Sequence, residues 1–484
     1  MAPAYHVLAA AGESRTEWLV ENSAAASQGA GGVGRPGCSG WHTGIMDGQP
    51  EAMIDLDAIQ SNVAALCHHV GHAQLMAVVK SDGYGHGMLP SARAALAGGA
   101  DWLGVVQLMD AIALRKAGLT VPVLSLHGSP DAPHAEAIRV GVDLTVGSVA
   151  LLDQVALAAE GVGQPARVHL EADTGMGRGG ATGADWPALV HAALAAEAAG
   201  LLRVVGLWSH FACADIVGHP SIDQQLAAFR DAVALAERAG ARPEVRHLAN
   251  GPATLTLPGS YFDLVRPGGS VFGLCTLPGG VPDWLRPAMT VRARLVQVKE
   301  VPAGAPVSYG HRYATGRPAR LGVLPLGYNE GIPRLATNAV DLLSTRGRRV
   351  PIAGTVNLNH VVLDLGEGPA EAGDEVILFG PGDHGEATAQ EWAEALGTIS
   401  YEIVTRFTGK VPRTYCGVAA ARDDASLAGP CTGARAGTDV HVSADVPAGG
   451  SELAGEARQA GTHVPVGTGS GADRRPDGEV APTH

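Results

Sequence analysis

The chain has 484 residues, a formal charge of −14, 46% hydrophobic residues and 17% charged ones. That length is enough for two or three domains and a large core, and the acidic balance argues against nucleic acid or an anionic membrane surface as the main partner. No apolar run reaches the ~18 residues of a membrane span, and Val7-Leu8-Ala9-Ala10-Ala11, without a basic n-region, is too short for a secretory leader.

Residues 1–45 are rich in Gly, Ala and Ser and show no sustained period, which predicts a disordered extension; residues 417–484 predict a disordered tail for the same reason. The folded part is then 46–416. Between about 50 and 272, β-rich apolar runs alternate with Ala/Leu-rich amphipathic segments. The runs are Leu75–Lys80, Trp102–Val106, Val121–Leu126, Val142–Val146, Val168–Glu171, Val204–Trp208, Val245–Leu248 and Leu264–Phe272. Helical stretches fall between them, such as Gly87–Ala97, Asp110–Ala117, Val149–Ala159, Trp186–Ala198 and Asp223–Ala239. Eight β runs alternating with helices is the arithmetic of a (β/α)8 TIM barrel, here 46–285. An open doubly wound sheet is the rival, but no G-x-G-x-x-G follows the first run. After Arg286-Pro287 the pattern changes. Val291–Val301, Leu321–Leu326, Val350–Ile352, Val361–Leu365 and Glu375–Phe379 read as strands, with one helix near Ala389–Leu396. The α/β barrel is thus followed by a smaller, mainly β C-terminal domain, 286–416.

The cysteines, Cys38, Cys67, Cys213, Cys275, Cys416 and Cys431, form no C-x-x-C pair and no zinc spacing. They read as free thiols in a reducing cytoplasm, with no metal site.

Active residues of a barrel lie at the C-terminal ends of its strands. Lys80 ends the first run in Val78-Val79-Lys80-Ser81-Asp82-Gly83-Tyr84-Gly85-His86-Gly87. A buried lysine is costly unless it is deprotonated or used covalently, and a Schiff base is its natural use. Arg178 follows the fifth run in Asp173-Thr174-Gly175-Met176-Gly177-Arg178, a glycine-rich setting suited to bidentate capture of a carboxylate. His210 follows the sixth run and Asn250-Gly251 the seventh; Arg266 sits in the eighth, before Pro267-Gly268-Gly269. Barrel phosphate sites use the loops after strands seven and eight, where Gly251, Gly268 and Gly269 offer backbone N–H groups. A lysine, a phosphate cradle and a neighbouring arginine suggest pyridoxal phosphate.

These motifs, together with His210-Phe211, Ser308-Tyr309-Gly310 and Gly327-Tyr328, resemble the alanine racemase family, a fold-type III pyridoxal phosphate family, from about Ala52 to Tyr415 and in order. The resemblance implies that Lys80 carries the cofactor and acts as one base. Tyr309 acts as the other, from the partner subunit of a homodimer with shared active sites. It also implies that Arg266 contacts the pyridine nitrogen, that Tyr84, Gly251, Gly268, Gly269 and Tyr401 surround the phosphate, and that His210, beside Asn250, packs on the ring and relays to Tyr309. Arg178 and the backbone N–H of Leu358 would take the substrate carboxylate, and Tyr328 would line the way in.

The chemistry agrees. Racemisation removes a proton on one face and returns one on the other, so two bases must flank the carbon, each about 3 Å from the proton in flight. Arginine at the pyridine nitrogen keeps its own proton, which weakens the electron sink and disfavours transamination. A phenol is a base only when cations such as Arg178 help it ionise.

The sequence makes four departures from the family pattern, one of them a run of three residues. Glu171 stands where a lysine, often carbamylated, is usual, and is expected to supply the carbamate's negative charge permanently. Leu358-Asn359-His360 replaces Met-Asp-Gln. Gly251 replaces a serine beside the phosphate. Thr355 replaces an arginine of the access corridor. The expected reaction is L-/D-alanine interconversion, feeding D-alanine to peptidoglycan precursors. A racemase of another small amino acid such as serine, in specialised metabolism, is the alternative. A non-enzymatic cofactor carrier would lack Tyr309, and a basic amino acid decarboxylase would need an acid in place of Arg266.

Overall fold

The computed structural model describes residues 49–344 and 347–417. The extensions expected at 1–45 and beyond residue 417 lie outside the described residues.

Strand β1 (Glu51–Asp55) leads into helix Leu56–Val70, which Asp55 caps by accepting from the Ala58 N–H at 3.0 Å. Eight parallel strands follow: β2 (Gln74–Val78), β3 (Trp102–Val105), β4 (Val123–Ser125), β5 (Asp143–Val146), β6 (Ala166–Glu171), β7 (Leu202–Trp208), β8 (Val245–His247) and β9 (Leu264–Val265). They run in the order β8-β7-β6-β5-β4-β3-β2-β9. Two backbone hydrogen bonds close the ring, Asp263 N to Arg246 O at 3.1 Å and Arg266 N to Ala249 O at 2.9 Å. Each predicted run is found, although the last is only two residues of strand before a 3-10 turn at Gly269–Phe272. The glycines there release the chain from extended geometry.

The outer helices bury one stripe each. Ile222, Phe229, Val233 and Ala236 line the inner face of Ser221–Ala239. The barrel interior holds its own apolar plug of Met76, Val78, Trp102, Leu124, Val205, Val245 and Leu264.

The C-terminal half adds β10 (Met289–Arg294), β11 (Gln297–Val301), β12 (Pro306–Val307), β13 (Tyr313–Ala314), β14 (Ala319–Leu324), β15 (Asp341–Ser344), β16 (Arg349–Pro351), β17 (Val361–Asp364), β18 (Glu375–Phe379) and β19 (Arg413–Cys416). The expected run Val291–Val301 is two strands that lie in different sheets. One sheet runs β16-β15-β18-β10-β1-β19, and a smaller one runs β11-β14-β17. Residues 51–55 therefore belong to the β layer, although they precede the barrel in sequence. Buried Arg292 on β10 ties that sheet together, pairing with Glu51 at 3.0 Å and Glu375 at 3.2 Å.

Cys67, Cys213 and Cys275 are free thiols. Cys416 is disulfide-bonded, which corrects the expectation of free thiols throughout. Among the described residues no helix is long and apolar enough to cross a membrane, and no group of His, Cys, Asp and Glu side chains is arranged for a metal ion.

Candidate active site

Lys80 lies two residues past the end of β2, where Val79 N still bonds Gly104 O at 2.8 Å. The chain then enters a left-handed turn, with φ of 54° at Ser81, 53° at Asp82 and 50° at Tyr84. Non-glycine residues in that region cost about 1–2 kcal/mol each, and such strain gathers at working sites. The turn brings Tyr84 back beneath the lysine, its ring centroid 5.8 Å from Nζ. Burial, then the charges of Arg178 and Arg266, hold the Lys80 amine below its ordinary pKa.

Arg266 is 3% exposed, and both its terminal nitrogens are engaged. It donates to Ser209 O at 2.8 Å, Leu248 O at 3.2 Å, His210 Nδ1 at 3.2 Å and His247 Nδ1 at 3.0 Å, and lies over the Trp208 ring. Burial, only partly offset by Glu171, lowers its pKa to about 9, still charged at neutral pH. The same burial, with Arg266, Arg178 and Lys80 nearby, holds His210 neutral. Asn250 Nδ2 stands 3.4 Å from His210 Nε2.

Behind Arg266 runs a buried chain that sequence reasoning missed. His247 Nε2 meets His169 Nδ1 at 2.9 Å, and His169 Nε2 meets Asp143 Oδ2 at 3.3 Å. Asp143 in turn holds Arg167 at 2.7 Å and 3.1 Å. The carboxylate must accept from His169 Nε2, so His169 Nδ1 accepts from His247 Nε2, and His247 Nδ1 accepts from Arg266. One acid thus sets both tautomers. The available signal was polar residues within apolar strands, as in Val168-His169-Leu170 and Val142-Asp143-Leu144. Gly206 makes room, since a Cβ there would lie 2.1 Å from His169 Nδ1.

The loops after β8 and β9 form a cradle. A Cβ on Gly268 would lie 2.3 Å from Tyr84 Oη, and one on Gly269 would lie 2.2 Å from the Tyr401 ring. The position of a Cβ on Gly251 is 3.6 Å from Ser270 Oγ, 3.9 Å from Gly268 N and 3.9 Å from Tyr401 Oη. Buried Ser270, also unforeseen, places a hydroxyl beside the position where Gly251 lacks one. Polar atoms and backbone N–H groups fit a phosphate, and the half-buried Lys80 amine fits an aldehyde.

Arg178 is exposed on a loop that Asp173 builds by accepting from Gly175, Met176 and Gly177 N–H groups at 3.0–3.1 Å. Glu171, at the end of β6, packs against the Gly179–Gly180 backbone of that loop. Burial outweighs the fields of Arg178 and Arg266 and pushes its pKa up to about 7. Its charge is therefore sensitive to pH near neutrality.

Tyr309, Tyr328 and Leu358 gather elsewhere, on the β layer, 73%, 47% and 51% exposed. Tyr328 N bonds Asn357 O at 3.0 Å, and Asn329 N bonds Leu358 O at 2.9 Å. Thr355 is buried beneath Tyr309 and donates to its carbonyl at 2.7 Å, so it supports Tyr309 and does not line a corridor. Asn359 donates to Glu330 at 2.7 Å, a bond that an aspartate could not make between two ionised carboxylates.

Residues 54–276 match the family described as "Alanine racemase, N-terminal domain", and 288–415 match "Alanine racemase, C-terminal domain". The chain belongs to the alanine racemase family. It is 56% identical over 367 residues to the alanine racemase of Frankia casuarinae, covering 75% of this chain and 95% of that protein. The alanine racemase of Streptomyces lavendulae, a D-cycloserine producer, superposes with a TM-score of 0.75 at 49% identity, over 77% of this chain and 98% of that one. That of Bartonella henselae, solved with covalently bound pyridoxal phosphate, gives 0.68 at 26% identity, over 76% and 99%. Alanine racemases are pyridoxal-phosphate-dependent isomerases, and the (β/α)8 barrel followed by a β domain is their architecture.

Proposed function

We propose that this chain interconverts L- and D-alanine as a homodimer, with pyridoxal phosphate held at the barrel mouth. The observation that carries the reading is one convergence. The Lys80 amine, held below its ordinary pKa, faces a glycine-lined cradle and two arginines. The cofactor bound covalently by the Bartonella relative supports the assignment. When bound, the cofactor supplies the electron sink that acidifies the substrate α-carbon.

The residues then divide the work. Lys80 would hold the cofactor through Nζ, and once the substrate amine takes its place that freed amine would take or return the α-proton on one face. Tyr84, Gly251, Gly268, Gly269 and Tyr401 surround the phosphate. Arg266 would contact the pyridine nitrogen while keeping its own proton, and His210 would pack against the ring. Arg178 and the Leu358 N–H hold the carboxylate, with Glu171 biasing the Arg178 loop. Tyr309 Oη handles the proton on the opposite face, contributed by a second copy of the chain. Its exposure supports this, because a base needs a walled site and this one has no wall in its own subunit. The barrel, from Leu56 to Leu285, would be the cofactor domain, and 286–416 would supply the second base. Tyr328 and Tyr309 crowd the opening and favour a methyl side chain. In the cytoplasm the D-alanine would feed peptidoglycan precursors.

The test is turnover of the enantiomers of alanine, serine and lysine by purified protein, read by chiral separation. Alanine should exceed both others. A protein that turns over serine but not alanine overturns the substrate assignment.

A further inference from the structure

The turn behind Lys80 holds five successive residues in the left-handed region, from Ser81 at 54° to Gly85 at 84°. Its local hydrogen bonds, Gly83 N to Val79 O at 3.0 Å and Gly85 N to Ser81 O at 3.1 Å, are those a left-handed turn makes with itself. They do not explain why three residues with side chains remain there. The other restraints come from far along the chain. Arg413 Nη2 pairs with Asp82 Oδ2 at 2.6 Å, while Asp82 Oδ1 accepts from Met88 N at 2.8 Å. A Cβ on Gly87 would lie 2.1 Å from Tyr415 Oη, and one on Gly85 would lie 2.9 Å from Val404 O. Arg413 and Tyr415 belong to β19, the strand beside β1, so the β layer closes over the lysine turn.

We propose that Asp82 and Arg413 are positioning residues for Lys80. Their ion pair latches the left-handed turn and so fixes the direction of the amine. Asp82 suits the task twice, because its short polar side chain tolerates the left-handed region and its two oxygens serve different partners. The Arg413 side chain is mostly buried, which shields the pair from water on one side. The strand that carries Arg413 thereby acts on chemistry in the barrel. The assignment rests on reading Lys80 as the cofactor-bearing lysine.

The test uses the full chain, with and without cofactor. In cofactor-free Arg413→Met, amide exchange across residues 83–88 should rise about fivefold, the scale of a partly shielded ion pair. Capture of added pyridoxal phosphate, followed by its visible absorption, should slow by a similar factor, while KM for alanine moves less. Arg413→Lys should restore most of both rates. Asp82→Asn keeps the left-handed tolerance and the Met88 bond but loses the charge, so it should reproduce Arg413→Met. The double variant should be no worse than either single one, as for two halves of one interaction. Wild-type exchange and capture in folded Arg413→Met and Asp82→Asn would overturn the latch, as would full additivity in the double variant. If Arg413→Met does not fold, Asp82→Asn and Arg413→Lys make the same comparison. A wild-type chain that captures no cofactor overturns the reading of Lys80 instead, and the exchange rates still judge the latch.

Discussion

The barrel mouth and the exposed face of the β layer are built on opposite principles. At the mouth, Lys80, His210 and Arg266 are desolvated and held below their ordinary pKa values, and His210 and Arg266 are fixed by hydrogen bonds. On the β layer, Tyr309 stands 73% exposed, and the support beneath it is Thr355 bonded to its backbone. The mouth is a finished half-site and the β face an unfinished one. In the homodimer we propose, the barrel mouth of a second copy would supply the cations, Arg178 among them, that a phenol needs before it can act as a base.

The comparison predicts unequal damage. Lys80→Ala should abolish the cofactor's visible band and lower turnover by at least ~10⁴-fold, since it removes both the attachment point and a base. Tyr309→Phe should leave the band intact. It should slow α-proton removal by about 10²–10⁴-fold, and from one enantiomer far more than the other, read by deuterium exchange. Equal slowing of both enantiomers would break the assignment of opposite faces.

Mixing the two variants sharpens the point. If each site takes its lysine from one chain and its tyrosine from another, a Lys80→Ala/Tyr309→Phe heterodimer holds one intact site and one doubly crippled site. Activity should recover to about half of wild type per heterodimer. Sites complete within one chain would show no recovery.

The two regions also differ in how they depend on distant residues. Asp143 fixes the tautomers of His169 and His247 and thereby what Arg266 meets. Burial raises its carboxyl, but His169 and Arg167 outweigh that and hold it below its ordinary value. Asp143→Asn should cost about 3–5 kcal/mol of stability, the scale for breaking a buried pair. It should also shift the histidine ¹⁵N resonances away from the pattern with His247 protonated at Nε2. Unchanged resonances would mean that the acid does not govern the chain. Because its folded value is depressed, its contribution is present above the unfolded value and is lost as pH falls through the folded one.

The legible and hidden parts of the molecule separate along the same line. The eight barrel strands were readable because a parallel strand covered on both faces is a continuous apolar run. Residues 51–55 and 413–416 were not, since nothing local tells a strand which sheet, hundreds of residues away, it will join. At the site, Lys80, Arg178, His210 and Arg266 were visible as polar residues at strand ends beside glycines. Asp143, His169 and His247 are single polar residues on three separate strands, and each looks like noise until the barrel closes and places them in contact. Ser270 was hidden for a related reason. Its role depends on the empty space at Gly251, and an absent side chain leaves no pattern.

Glu171 gives the smallest expected effect and the clearest sign. Its carboxyl, raised to about 7 by burial, binds a proton in the folded chain at pH values where the unfolded chain, with a value near 4.5, does not. Stability from that proton is fully present below the unfolded value and is lost as pH rises through about 7. Glu171→Gln lacks the transition, so its melting temperature should gain on wild type as pH is raised from 5 to 8. Catalysis should move the other way. Above the transition the carboxylate attracts the Arg178 guanidinium and steadies it for the substrate carboxylate, so wild-type KM for alanine should improve with pH, whereas the glutamine variant should lack that step. At pH 8 the variant's KM should be a few-fold higher, the scale of a partly screened charge. Parallel KM profiles for the two proteins would show that Glu171 packs against the Gly179–Gly180 loop without steering Arg178, and the electrostatics of the mouth would then rest on its cations alone.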